Sequence, residues 1–152
     1  MTQARLLNYT TQVVAGKSVG EIQGLLIKHG ATKIMLDTAS GEIRGIAFAL
    51  QVGGDELAFR VPANIAACEA TLNAQVRSRT IPGRFAGREH ASRVAWRILK
   101  DWVEAQVALI ETGMVKPEEV FLPYLLTDGV HTLFERYQEQ RFRELSAPRE
   151  EA

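Results

Sequence analysis

Between Glu42 and Val61 the chain alternates apolar residues with small or polar ones, in two runs separated by Gly53-Gly54-Asp55. Alternation of period two on both sides of a glycine turn predicts a β-hairpin, with a register fixed by the buried face. Ile46, Phe48, Leu50 and Val52 share one face of the first run, and Leu57, Phe59 and Val61 one face of the second. Together they make a continuous apolar surface, the floor of a core. The opposite face offers Ala47, Ala49, Gln51, Ala58 and Arg60. Such small side chains suit a closely packed helix, or a platform for a planar ligand with Arg60 supplying charge. That platform lacks the exposed aromatics that base stacking usually employs.

The flanking segments supply further elements. Lys33–Thr38 reads as a strand turning at Ala39-Ser40-Gly41, and Leu7–Val14 as a short strand rich in β-formers. Ser18-x-x-Glu21 reads as a capping box that opens a helix ending at Gly30. Pro62 stops the third strand, and Asn64 caps a helix running through Ala66, Cys68, Ala70, Leu72 and Val76. Ser78–Gly87 is a loop with a Pro82-Gly83 turn. The longest helix then runs from about Arg88 to Thr112, with Ala91, Ala95, Ile98, Trp102, Ala105 and Leu109 spaced as the seam of a shallow helix pair. Pro117 starts a short apolar helix carrying Val120 to Leu126, and a last helix runs from Leu133 to about Phe142.

The pattern predicts an α+β fold: a small, mostly antiparallel sheet of about four strands packed with helices, followed by a long helix and a helical C-terminal half. At 152 residues the length suits one domain. Residues 1–145 would form it, with a sheet-containing half over 7–76 and a helical half over 88–143. Residues 146–152 are a polar tail expected to fray. The apolar surplus on the long helix and on Val120–Leu126 suggests a homo-oligomer.

The formal charge is zero, yet it is unevenly placed. From Arg77 to Lys100 the chain holds Arg77, Arg79, Arg84, Arg88, Arg93, Arg97 and Lys100 against Glu89 alone, a net of +6. Residues 101–128 carry Asp101, Glu104, Glu111, Glu118, Glu119 and Asp128 against Lys116, a net of −5. Such segregation speaks of partners rather than of fold. The basic stretch would meet phosphates, or the acidic segment of the same chain or of a second copy. Glu89–Arg93, Arg97–Asp101 and Lys100–Glu104 stand at i,i+4 and read as the charged face of a helix. Arg77, Arg79, Arg84 and Arg88 have no such local partner. Arg84 and Arg88 also lie at or before the positive end of the helix dipole, where acids belong. An anion there would turn a cost into a gain.

Catalytic patterns are not evident. His29, His90 and His131 match no zinc spacing. Cys68, the single cysteine, excludes an internal disulfide and reads as a small hydrophobe. Phosphate-loop, dinucleotide-binding and nucleophile-elbow motifs are not found. Asp37, Glu42 and Arg44 straddle a hairpin, as nuclease acids do, but at short spacing and without the usual lysine. No run is long enough to span a membrane, and the N-terminus lacks the apolar core of a secretory signal. No cofactor or metal is expected.

The runs LNYTT, EIQGLLIKHGATKIM, FRVPAN and RVAWRILKDWVEAQVALIETGM, with EEVFLPYL beyond, resemble a family of small proteins encoded by bacteriophages, prophages and other mobile elements. The resemblance covers roughly residues 7 to 135. It is most specific at Ala95-Trp96-Arg97, Trp102 to Gln106, and Phe121-Leu122-Pro123-Tyr124. It implies a bacterial cytoplasm and a mobile-element setting, in which small non-enzymatic proteins often handle nucleic acid or bind host defence components. No site residue carries over from it.

The expected function is therefore non-enzymatic nucleic-acid binding, of single-stranded DNA more than duplex. Arg77, Arg79, Arg84, Arg88, Arg93 and Arg97 would grip phosphates, with Arg60 as a further charge and Phe85 or Trp96 as stacking groups. Two alternatives stand beside it. One is sequestration of a small phosphorylated nucleotide. The other is an interaction module that counters a host factor.

Overall fold

The structure, a computed structural model, describes residues 4–143. Its sheet has three strands, not four: β1 (Lys33–Ala39), β2 (Glu42–Val52) and β3 (Asp55–Pro62), antiparallel in that order. Phe48 lies opposite Ile34 on one side and Phe59 on the other. Gly53 and Gly54 both take positive φ (58° and 90°), as a primed hairpin turn requires. At Gly45 a Cβ would lie 3.3 Å from the Val61 carbonyl and 3.3 Å from the Asp37 carboxylate, so the centre of the sheet needs glycine there.

The strand expected over Leu7–Val14 does not form. Asn8 takes φ 62°, Tyr9 N donates to Leu6 O (3.2 Å) and Thr11 N to Asn8 O (3.0 Å), so the segment turns. The Asn8 amide also donates to Asp101 (2.8 Å), which anchors the turn against the long helix. Asparagine tolerates this conformation, and tertiary anchoring overrides the β-preference of Tyr9, Thr10 and Thr11.

Helix α1 (Ala15–Lys28) starts ahead of the expected capping box, at Val14 and without a side-chain cap. Ser18 consequently lies inside the helix and is fully buried, on the same stripe as Val19, Ile22 and Leu26. Burying that stripe decides the phase of the helix, and the cap motif yields to it. Helix α2 (Ile65–Arg77) is capped as expected, with Asn64 accepting from Ala67 N (3.0 Å). Helix α3 (Arg88–Glu111) is the beam, packed against both α1 and α2. Because it has neighbours on two sides, its buried face is wider than the expected seam and rotated from it. Val94, Trp96, Val103 and Val107 are buried, whereas Ala105 is exposed.

The expected helix over Val120–Leu126 is broken. Helix α4 (Pro117–Phe121) passes into a single 3-10 turn at Leu122–Tyr124, since Pro123 has no N–H to continue an α-helix. Leu125 and Leu126 then run extended beside β3, with Leu126 N donating to Ala58 O (2.8 Å). Helix α5 (Leu133–Glu139) stops short of Phe142, because Arg141 and Phe142 both take positive φ. The apolar surplus expected to drive self-association is largely used within the chain. Phe121 is buried between Phe48, Phe59 and Trp102, and Trp102 also packs against Tyr124. Among the described residues no helix is long and apolar enough to cross a membrane. The tail over 146–152 lies outside the described residues.

Candidate functional site

The basic stretch divides into paired and unpaired arginines. Arg88, on the first turn of α3, is paired. Its Nε donates to Glu42 Oε2 (3.0 Å) and its Nη2 to Glu42 Oε1 (2.6 Å), with Glu69 at 3.7 Å on the other side. The Arg88 hydrogen bond holds the Glu42 carboxyl below the usual carboxylate range, against a smaller upward push from burial. The acid that the helix N-terminus lacks in its own sequence thus arrives from β2. Arg88 is therefore corrected from free phosphate ligand to structural ion pair. The nuclease-like arrangement loses its acid by the same contact, because Glu42 is held by Arg88 and by Arg44 (3.4 Å).

Four other basic residues named from sequence are also engaged. Arg93 pairs with Glu89 (2.9 Å), as the i,i+4 spacing predicted. Arg97 does not meet Asp101; it reaches Glu21 on α1 (2.6 Å), because α1 packs alongside and offers an acid at shorter reach. Arg60 donates to the Val130 carbonyl (2.7 Å) and to Glu135 (2.6 Å), so it holds the 125–135 segment rather than facing a ligand. Lys100 pairs with Glu104, again as predicted.

Both expected stacking groups are corrected. Trp96 is fully buried, and its indole N–H donates to the Ile43 carbonyl (3.0 Å), so it is a core residue tying α3 to the sheet. Phe85 is 9% exposed. Tyr9 packs edge-on to its ring (5.2 Å), His90 lies at 5.2 Å, and the Arg84 guanidinium sits 4.5 Å from its centroid. Its faces are already occupied.

Arg77, Arg79 and Arg84 remain. All three are exposed, and among the described residues none forms an ion pair. They sit where α2 ends and the chain folds back through a 3-10 turn at Gly83–Phe85, with Gly83 close to Val76 of the last turn of α2. The helix closes by a Schellman motif: Thr80 N donates to Gln75 O (2.8 Å) and Arg79 N to Val76 O (3.0 Å). The residue after the cap in that motif takes the left-handed conformation and is usually glycine. Here it is Arg79, at φ 60°. An L-residue with a long side chain costs about 1–2 kcal/mol there.

The loop rests on a residue that no local pattern singles out. Gln75 is 4% exposed, and its amide binds the N-terminal segment: Oε1 accepts from Leu6 N (3.1 Å) and Nε2 donates to Ala4 O (3.2 Å). His90 Nε2 lies 2.6 Å from the Tyr9 carbonyl and fastens the same segment to α3. A glutamine on a helix otherwise rich in alanine carries no local signal of this role, because its partners are remote in sequence.

Two apolar clefts lie away from this loop. One of about 360 Å³ between α2 and α3 is lined by Leu6, Pro62, Cys68, Thr71 and Ile98. Burial pushes the Cys68 thiol up, away from nucleophilic character. Another, of about 350 Å³, lies on the outer face of the sheet at Met35, Ala47, Ala49 and Leu126. Neither includes Arg77, Arg79 or Arg84. Among the described residues no cluster of three or more histidine, cysteine or acidic side chains is placed to hold a metal ion. Comparison with protein-family models, with curated proteins and with solved structures finds no match to this chain.

Proposed function

We propose that the chain is a non-enzymatic nucleic-acid-binding protein that grips backbone phosphates with Arg77, Arg79 and Arg84. The observation that carries this reading is Arg79 in a left-handed position where glycine is the default. A strained residue persists when its side chain serves something other than stability, and an exposed, unpaired guanidinium serves an anion. Two further unpaired arginines stand on the same turn of chain. A site of this kind favours an extended polyanion over a single small nucleotide, because the arginines are exposed and line neither of the apolar clefts.

The reading does not depend on base stacking, since Phe85 and Trp96 are both inside the core. Contact through phosphates alone takes single strand and duplex alike. The mobile-element setting implied by the sequence resemblance is compatible with such a partner, by association only.

The test is a titration of labelled single-stranded and duplex oligonucleotides at several salt concentrations. Affinity should fall linearly on a log–log plot against salt. Replacing Arg77, Arg79 and Arg84 together with alanine should flatten the slope by about two to three. Salt-independent binding, or none in dilute buffer, would overturn the proposal. Sizing without nucleic acid at low and high salt would expose the competing case, in which these arginines dock on a second copy.

A further inference from the structure

We infer that Arg5 is a fourth phosphate-gripping residue of the same site, and that Gln75 is the positioning residue that brings it there. The inference rests on the nucleic-acid reading and extends it to a part of the chain remote from the basic stretch.

Gln75 makes two sets of contacts. Its buried amide accepts from Leu6 N (3.1 Å) and donates to Ala4 O (3.2 Å), the backbone groups on either side of Arg5. Its own carbonyl accepts from Thr80 N (2.8 Å), Ile81 N (3.3 Å) and Ser78 Oγ (3.2 Å), the bonds that close the arginine loop. One residue therefore fixes both the backbone around Arg5 and the backbone around Arg79. Burying an amide costs free energy unless both its ends are paired, and an apolar residue would fill the same place on α2 without that requirement. What the amide adds is a defined position for residues 4–6.

The side chains extend the link. The Arg5 guanidinium lies 5.9 Å from the Tyr9 ring, Tyr9 packs edge-on to Phe85 at 5.2 Å, and Arg84 lies 4.5 Å from Phe85. Two guanidinium groups are thus set on a shared aromatic pair, itself fastened by His90 to the Tyr9 carbonyl. Arg5 is exposed and, like Arg77, Arg79 and Arg84, forms no ion pair among the described residues. Four arginines without an ion pair among the described residues, joined through Gln75 and one aromatic pair in a chain of zero net charge, suit a run of phosphates better than a single one.

The experiment compares wild type, Arg5→Ala, Gln75→Met, the double variant and Arg84→Ala by oligonucleotide titration over a salt series, with thermal melting of each. Arg5→Ala should melt as wild type and lower the salt slope by about 0.7–0.9, one phosphate contact. Gln75→Met should lower the slope by a similar amount although every arginine is kept, and the double variant should be no worse than either single one. If Gln75→Met fails to fold, Leu6→Pro removes one of the same hydrogen bonds from the other side and should give the same loss. A wild-type slope for Arg5→Ala, beside a reduced one for Arg84→Ala, overturns the role of Arg5 and leaves the function standing. An unchanged slope for Gln75→Met or Leu6→Pro overturns the positioning role. Absence of binding by wild type removes the function and this inference together.

Discussion

Arg88 and Glu42 meet through two parallel hydrogen bonds, of 3.0 and 2.6 Å, so the first residue of α3 is neutralised by the first residue of β2. A bidentate pair of this kind fixes a guanidinium in direction as well as in charge. Arg88 is thereby withdrawn from the set of arginines free to meet an anion, although in sequence it stands beside them.

The pairing predicts unequal effects for its two members. Arg88→Ala should leave the salt dependence of oligonucleotide binding unchanged, because the lost charge was already compensated. Glu42→Gln should steepen the slope by up to one, because it frees a guanidinium at a helix N-terminus. A flattened slope in Arg88→Ala would show that the ion pair opens on binding.

Arg79 predicts a conflict between stability and binding. Arg79→Gly removes the left-handed strain and should raise stability by about 0.5–1 kcal/mol, after allowing for the greater freedom of glycine in the unfolded chain. The same change should weaken oligonucleotide binding and lower the salt slope by about one. Chemical denaturation and titration of one preparation check both. Stability that falls or stays level would show that the site is not strained.

How far the sequence foretold this arrangement depended on the range of each interaction. The hairpin was legible because period-two alternation and Gly53-Gly54 are local signals that agree. The Glu89–Arg93 and Lys100–Glu104 pairs were legible because helical spacing alone brings their members together. Arg88–Glu42 and Arg97–Glu21 were not, since each joins residues from different elements and depends on how those elements pack. Trp96 illustrates the same limit: helical spacing leaves open whether it faces solvent, and only the approach of β2 buries it against Ile43. Leu7–Val14 fails as a strand because its anchors, His90 and Asp101, lie far along the chain. Arg77, Arg79 and Arg84 are exposed, whereas Arg88, which local sequence does not separate from them, is paired; the strain at Arg79 is visible only as a backbone angle.

Ser18 offers a test of the helix phase. Its hydroxyl is buried and has no hydrogen-bond partner among the described residues. Had it capped the helix, alanine there would cost about 1 kcal/mol. From its buried position Ser18→Ala removes an unsatisfied polar group instead, and should stabilise the fold by about 1 kcal/mol. A loss of stability measured by urea denaturation would restore the capping role.

The turn before α5 carries a pH dependence of known sign. Asp128 accepts from the backbone N–H of His131 (2.6 Å) and of Val130 (2.8 Å), and its other oxygen meets the His131 ring at 2.9 Å. These contacts, the His131 N–H foremost, hold the Asp128 carboxyl well below its usual range. In return the Asp128 hydrogen bond raises His131 above its ordinary 6.5. Because the histidine pKa is raised on folding, its contribution is fully present below 6.5 and is lost as pH climbs through the raised value. The aspartate works in the opposite sense: its contribution is present above 3.8 and is lost as pH falls through the lowered value. The turn should therefore be tightest from mildly acidic pH up to about the ordinary histidine range. Above the His131 pKa, exchange of the Thr127 N–H, which donates to the His131 carbonyl (3.1 Å), should quicken. A proton NMR titration of the imidazole should place His131 above 6.5 in the wild type and near that value in Asp128→Asn. A histidine that titrates alike in both proteins would show that the ring does not feel the carboxylate in solution.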